Sequence, residues 1–247
     1  MLRPGDVIFF GKNNSDFCQA VEKVVSGNDY FHVAIVSDIG TIVEAQPSGV
    51  IEYQYLRESI QENVPGYLEV VTPAITAEER RKAAAWARTK VGLGYNDLFA
   101  ANLLNSEENE SYYCSQLITE AFRESNMEWP NHTLNFKDDE GNLIQFWKEY
   151  FEKRGGRQVP QGDEGSHPAQ IRRSPVFSLF MLISPNSTDL KPPINMRRLE
   201  STEFLDIVGT PCNQTEQVIK NENKNAQTTQ IDWVVFVHNE LQLVPSE

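Results

Sequence analysis

Residues 31–45 read Phe31-His32-Val33-Ala34-Ile35-Val36-Ser37-Asp38-Ile39-Gly40-Thr41-Ile42-Val43-Glu44-Ala45. Phe31 to Ser37 is rich in β-branched and apolar residues and predicts a strand. Asp38 to Gly40 is turn chemistry, and Thr41 to Ala45 predicts a second strand returning beside the first as a hairpin. Two ionisable side chains interrupt the apolar run, His32 and Glu44, 44 − 32 = 12 residues apart. In a hairpin they can be near neighbours on one face. An acid inside an apolar strand is expensive unless paired, and a histidine ring N–H is a natural partner. Without that pairing, Glu44 faces solvent on an edge strand and His32 is a hydrogen-bonded core residue.

The pattern extends outward on both sides. Pro4-Gly5-Asp6 is a turn, and Val7-Ile8-Phe9-Phe10 reads as a buried strand. Phe17, Ala20, Val21, Val24 and Val25 recur at helical spacing after a Ser15 or Asp16 cap, with Gly27 as the stop. Gly49 to Tyr55 and Tyr67 to Thr72 predict two further strands. Thr76-Ala77-Glu78-Glu79 is a capping box that opens a helix to about Val91, ended by Gly92 and Gly94. Tyr95-Asn96-Asp97 leads into a helical stretch over Leu98 to Leu104, and Ser106 to Ser111 is a polar loop. Tyr112-Tyr113-Cys114-Ser115 then enters a helix striped by Leu117, Ile118, Ala121 and Phe122. Leu143 to Lys153 predicts an amphipathic helix with Phe146, Trp147, Tyr150 and Phe151 on one side. Gly155 to Pro168 reads as a long polar loop and Val176 to Ile183 as a last core strand. Composition changes near Pro185. Pro192-Pro193 reads as a linker, Asn221 to Gln230 as a polar stretch, and Trp233 to Val237 as a strand. The expected organisation is a catalytic domain over 1–185 and a small C-terminal extension over 186–247. The expected fold class is α+β, an antiparallel sheet packed against the helix that carries Cys114.

Cys114 falls in the first turn of its helix, where unpaired backbone N–H groups and the macrodipole favour a thiolate. The same N–H groups can hold an oxyanion. Cys114, Leu117, Ile118 and Ala121 also share one helical stripe, which suits a small core residue equally well. Of the four histidines, His132, His167 and His238 fall in predicted loops or at a strand end, so His32 is the best-placed base. Cys114, His32 and Glu44 together fit a nucleophile, a base and a group that orients the base.

The segments Gly5-Asp6-Val7-Ile8-Phe9, Phe31-His32-Val33-Ala34-Ile35-Val36, Val43-Glu44-Ala45 and Tyr113-Cys114-Ser115-Gln116-Leu117 resemble the circularly permuted branch of the NlpC/P60 papain-like superfamily, the YiiX/YaeF-like permuted amidases. Gly94-Tyr95-Asn96-Asp97 and Ser174-Pro175-Val176-Phe177 are also similar to motifs of that family. The histidine precedes the cysteine, the order the permuted branch requires. The resemblance spans about Leu2 to Ile183 and leaves out the tail. It implies that Cys114, His32 and Glu44 are catalytic, with Ser115, Tyr113 and Tyr95 as candidate oxyanion or substrate contacts. The substrate does not carry over, because the superfamily includes amidases, peptidases, thioesterases and lipid acyltransferases; the first expectation is a murein-like or γ-linked peptide. The alternative is a lipid or thioester acyl substrate, with the aromatic helix over Leu143 to Phe151 lining an acyl channel. A catalytically silent binding module is the third class, and the intact Cys/His/Glu set argues against it.

Composition narrows the partners. Hydrophobic residues make up 40% and charged residues 23%, enough apolar material for a dry site. The net charge is -13, from Asp+Glu 35 against Lys+Arg 22, so nucleic acid and anionic membranes are poor partners. Val176 to Ile183 is too short to span a bilayer, and Val7 to Phe10 is too short for a signal-peptide core. The chain is therefore expected to be made in the cytoplasm, with export only by a signal-independent route. A secretion-system or immunity partner would fit such a route. Cys18, Cys114 and Cys212 form no Cys-x-x-Cys pair, so neither a disulfide framework nor a structural zinc site is expected, and no metal or cofactor is required.

Overall fold

The computed structural model describes residues 2–25, 30–127, 132–185, 196–198 and 233–238, with side chains described as far as residue 177. Gly27, Pro192-Pro193, Cys212 and the stretch from Asn221 to Gln230 lie outside the described residues. In chain order the elements are β1 (Val7–Gly11), α1 (Asp16–Glu22), β2 (Tyr30–Asp38), β3 (Thr41–Gln46), β4 (Gly49–Tyr53), α2 (Leu56–Asn63), β5 (Tyr67–Pro73) and α3 (Ala77–Arg88). There follow β6 (Gly94–Tyr95), β7 (Ser111–Tyr112), α4 (Cys114–Glu124), β8 (His132–Thr133), α5 (Gln145–Glu152), β9 (Glu164–Gly165), α6 (Pro168–Arg172), β10 (Phe177–Pro185), β11 (Met196–Arg198) and β12 (Trp233–His238). No helix among the described residues is long and apolar enough to cross a membrane.

The architecture is α+β, built on a sheet ordered β11-β12-β10-β5-β1-β2-β3-β4 with every pairing antiparallel. Strand β1 lies between β2 and β5, with Val7 opposite Ile35 on one side and Val71 on the other. Its residues Val7, Ile8, Phe9 and Phe10 are all 0% exposed, which is why this strand reads as an unbroken apolar run rather than an alternation. Helices α3 and α4 pack on each other and both lie against β2, while α4 also reaches β3. The cysteine helix is thereby laid across the hairpin that carries His32 and Glu44.

Local chemistry fixes the ends. The Thr76 hydroxyl accepts from the Glu79 N–H at 3.2 Å and the Glu79 carboxylate accepts from the Thr76 N–H at 2.8 Å, the reciprocal bonds of a capping box. Before β1, the Gly5 N–H donates to the Val36 carbonyl at 2.8 Å, and buried Asp6 accepts from the Arg3 N–H and the Thr72 hydroxyl, each at 2.8 Å. Gly5 has φ +85, and a Cβ there would lie 2.5 Å from the Arg80 carbonyl oxygen.

Three sequence expectations are corrected. Leu98 to Leu104 is a series of turns, not a helix, with Phe99 (φ 55) and Leu103 (φ 60) left-handed. The Asn96 side chain competes for the backbone there, accepting from the Ala100 N–H at 3.1 Å and donating to its carbonyl at 2.8 Å. The strand expected through Tyr55 ends at Tyr53 and gives way to α2, whose Glu58 accepts from the backbone N–H groups of Gln54 and Tyr55. The polar loop over Gly155 to Pro168 runs into a short helix, α6, which starts on Pro168 at its first position with His167 as its cap.

Gly5→Ala should therefore destabilise the protein through both strain and contact. The left-handed conformation alone costs about 1–2 kcal/mol for a residue with a Cβ, and the approach to the Arg80 backbone adds to it. Gly92→Ala is the matched control, because Gly92 has φ +93 but nothing within 4 Å of the added carbon. Thermal melting should show Gly5→Ala falling by about 4 °C or more and clearly further than Gly92→Ala. Equal losses would show that the Arg80 contact relaxes freely.

Candidate active site

The site forms where β2, β3 and the start of α4 meet. His32 on β2 is 6% exposed, Glu44 on β3 is 0% exposed, and Cys114 is the first residue of α4 and 9% exposed. The imidazole Nε2 and the Glu44 Oε2 are 3.1 Å apart. A carboxylate can only accept, so Nε2 carries the proton and Nδ1 is the nitrogen left for the cysteine. The Cys114 side chain lines the same cavity as the imidazole and is near enough to raise its pKa. Phe10, opposite His32 in the β1–β2 pairing, holds the ring from one side with centroids 5.1 Å apart.

Glu44 is satisfied on both oxygens. Oε2 also accepts from the Ser59 hydroxyl at 2.9 Å, and Oε1 accepts from the Asn63 amide at 2.9 Å and from the Gln46 amide. Ser59 and Asn63 stand one turn apart on α2, and the Asn63 amide also donates to the Ser59 carbonyl at 2.9 Å. Sequence reasoning missed these three partners. A signal existed: Leu56, Ser59, Ile60 and Asn63 follow helical spacing, but half of that stripe is polar because it faces a buried carboxylate.

At the start of α4 the Tyr113 side chain makes no capping bond, and the first turn carries no acid. The N-terminal N–H groups beside Cys114 and Ser115 are thus free of a side-chain cap. The Tyr113 hydroxyl instead accepts from the Ser166 N–H at 3.0 Å, and the Ser115 hydroxyl donates to the Ser166 carbonyl at 3.0 Å. Both residues clamp the segment before α6 against the cysteine helix. Tyr95 on β6 sits beside β7, paired with Tyr112, and borders the cavity onto which Cys114 and His32 open. Burial and the neighbouring Cys114 push the Tyr95 hydroxyl well above its ordinary pKa.

The other histidines are placed differently. His167 lines the same cavity, but its Nε2 donates to the Val21 carbonyl at 2.8 Å and its Nδ1 accepts from the Ala169 N–H at 3.1 Å. Burial pushes it down to about 4, and neither nitrogen is left to take a proton from a thiol. His132 lies on β8, and burial lowers its pKa as well.

The sequence pattern of the family described as permuted papain-like amidase enzyme, YaeF/YiiX, C92 family, matches residues 1–179. The chain belongs to this family. The crystal structure of metalloprotein yiiX from Escherichia coli O157:H7 is similar in fold, with a TM-score of 0.56 and 20% sequence identity over 72% of this chain and 96% of that chain. No curated protein matches the sequence. Family membership makes the chain a papain-like cysteine amidase in general terms, and the family match spans the hairpin, α4 and every residue of the site. Metal binding belongs to the description of the yiiX protein. Among the described residues of this chain, no group of three or more His, Cys, Asp or Glu side chains is arranged to hold a metal ion, and both Glu44 oxygens are already occupied.

Burial by itself disfavours a charged imidazole, but Glu44 and Cys114 outweigh it and hold His32 above its ordinary value, at about 10. The folded-state value lies above the unfolded one, so the stabilisation from the His32–Glu44 pair is full below about pH 6.5 and is lost as pH rises toward 10. Chemical denaturation of the wild type should show stability falling across that window. Glu44→Gln should flatten this part of the curve, since a neutral amide no longer favours the imidazolium. An unchanged slope in Glu44→Gln would mean that another group titrates.

Proposed function

We propose that the chain hydrolyses amide bonds with Cys114 as nucleophile, His32 as general acid and base, and Glu44 as the group that orients and charges the imidazole. The observation that carries this reading is the buried Glu44–His32 pair opening onto the same cavity as a cysteine at an uncapped helix start. The chemistry follows from the geometry. With the imidazole held charged by Glu44, the proton given up by Cys114 already resides on His32, and the sulfur bonds as a thiolate to the substrate carbonyl carbon. The oxyanion forms beside the N–H groups of Cys114 and Ser115, whose direction is set by α4. Imidazolium then gives its proton to the amine nitrogen, the C–N bond breaks, and a thioester remains on Cys114. A water molecule gives a proton to His32 and its oxygen to the carbonyl carbon. Collapse releases the carboxylic acid and restores the thiol.

Glu44 does not take the proton in this scheme. It fixes which nitrogen faces the sulfur and stabilises the charged ring. Ser59, Asn63 and Gln46 act one step further back, holding the carboxylate so that its own orientation is fixed.

On an acyl anilide, Cys114→Ala and His32→Ala should each lower kcat/KM by about a thousandfold or more, and the double variant should lose little beyond either single one, because the two groups act as a unit. Glu44→Gln should lose less than either, since both reacting groups stay in place. Circular dichroism and thermal melting accompany each assay. A His32→Ala protein that melts like the wild type and keeps most of its turnover would remove His32 from the mechanism.

A further inference from the structure

A second cavity, of about 250 Å³, lies against the same helix start. Its lining is polar, with Thr119, Glu120 and Arg123 on α4, His132 on β8, Glu164 on β9, and Ser166. Tyr113 and Ser166 border both this cavity and the one at Cys114, so the wall between the two is a single residue thick. Gly165 keeps that wall thin. A Cβ there would lie 2.5 Å from the Leu134 side chain and 2.9 Å from the Tyr113 hydroxyl oxygen.

Ser166 is fixed by its backbone, and its side chain is left unused. Its N–H donates to the Tyr113 hydroxyl at 3.0 Å and its carbonyl accepts from the Ser115 hydroxyl at 3.0 Å, so it is tied to the residues on either side of Cys114. The residue is only 7% exposed, yet its hydroxyl has no partner among the described residues. The same holds for the buried Nε2 of His132, which stands opposite Gly165 in the β8–β9 pairing. Two unpaired buried atoms lining one polar cavity mark places for a small hydrogen-bonding molecule. Nothing there selects an ion. Glu120 pairs with Arg123, burial lowers the pKa of His132 and favours its neutral form, and no group of three or more side chains among the described residues is arranged to hold a metal. The molecule that fits both atoms without bringing a charge is water.

We infer that this polar cavity is the water chamber of the reaction, and that the Ser166 hydroxyl is a positioning residue that hands water from it to the thioester on Cys114. The inference rests on Cys114 as the nucleophile. While the thioester stands, the acyl group lies in the cavity at Cys114, where polar atoms are scarce for water. The Trp147 indole N–H there is bound to the Ala20 carbonyl, and both His167 nitrogens are bound to backbone. The Ser166 hydroxyl reaches both cavities and can accept from a water on the chamber side while donating to one on the Cys114 side. That second water gives a proton to neutral His32 as its oxygen bonds to the carbonyl carbon. The C–S bond then breaks, and its electron pair returns to sulfur.

The test separates the water step from the acylation that precedes it. The 4-nitrophenyl ester of butanoic acid supplies an acyl group and a coloured leaving group. Stopped-flow absorbance reads acylation as a burst and hydrolysis of the thioester as the steady rate after it, and intact-protein mass spectrometry measures the thioester itself. Ser166→Ala should keep the burst but slow the steady rate by about tenfold, the effect of losing one ordinary hydrogen bond, with more of the protein present as thioester. Ser166→Thr, which keeps a hydroxyl, should hold the wild-type steady rate. His132→Phe, which fills the chamber from its other side, should slow the same phase and leave the burst alone. Melting curves confirm that each variant folds. A Ser166→Ala protein with the wild-type steady rate, or one whose burst and steady rate fall together, would overturn the inference while leaving Cys114 as the nucleophile. A wild type that gives neither burst nor thioester would overturn the thiol mechanism, and this inference with it.

Discussion

A fully buried carboxylate governs this structure. Glu44 lies on the third strand of the sheet with no solvent contact, a position that costs several kcal/mol for an uncompensated ion. The fold compensates it from three directions. His32 approaches from the neighbouring strand, Ser59 and Asn63 from the helix that follows the hairpin, and Gln46 from Glu44's own strand. Each partner answers a separate question of architecture: which register the hairpin takes, where the chain turns after β4, and how that next helix faces the sheet. Loss of one partner leaves a lone pair buried and unmet. This makes the arrangement stringent, and it also fixes the position of the imidazole.

The order of the elements then explains how so compact a site can come from distant segments. Histidine and glutamate share one hairpin, so their spacing is set locally by a short turn. The cysteine arrives some eighty positions later on a helix whose apolar stripe, Leu117, Ile118, Ala121 and Phe122, is wholly buried. That burial, not any bond at the site, brings the sulfur to the imidazole. The platform for it is β1, buried on both faces, with the hairpin on one side and β5 on the other. Stability and geometry are therefore coupled: the same apolar contacts that hold α4 down also place Cys114 on the cavity that His32 lines.

What could be read in the sequence follows from this division. The hairpin, the capping box at Thr76 and the stripe of α4 were legible because each obeys one local rule with few competitors. Helix α2 was not, because Ser59 and Asn63 turn inward toward a buried charge and so erase half of the expected apolar stripe. The helix expected over Leu98 to Leu104 failed for the opposite reason. Its apolar spacing was adequate, but the Asn96 side chain captured the Ala100 backbone and left Phe99 and Leu103 in left-handed conformations. The aromatic helix over Gln145–Glu152 was legible as an element, yet the sequence could not tell core packing from cavity wall, and Trp147 does both. Tertiary demands overrode local pattern in each of these segments.

The two described thiols make the same point at the level of chemistry. Cys18 and Cys114 both stand in the first turn of a helix and both line the one cavity. Helix position alone would treat them alike. At α1, however, the Ser15 hydroxyl caps the helix by accepting from the Cys18 N–H, Asp16 occupies the first turn, and burial pushes the Cys18 thiol above its ordinary pKa, with Glu22 adding to the rise. At α4 the helix start carries no side-chain cap and no acid, and a protonatable imidazole opens onto the same cavity as the sulfur. A thiolate at Cys18 would be opposed by acids and by burial, and one at Cys114 would face a cation held in place by Glu44. In the proposed mechanism the buried carboxylate therefore distinguishes the two thiols, acting through the histidine between it and Cys114.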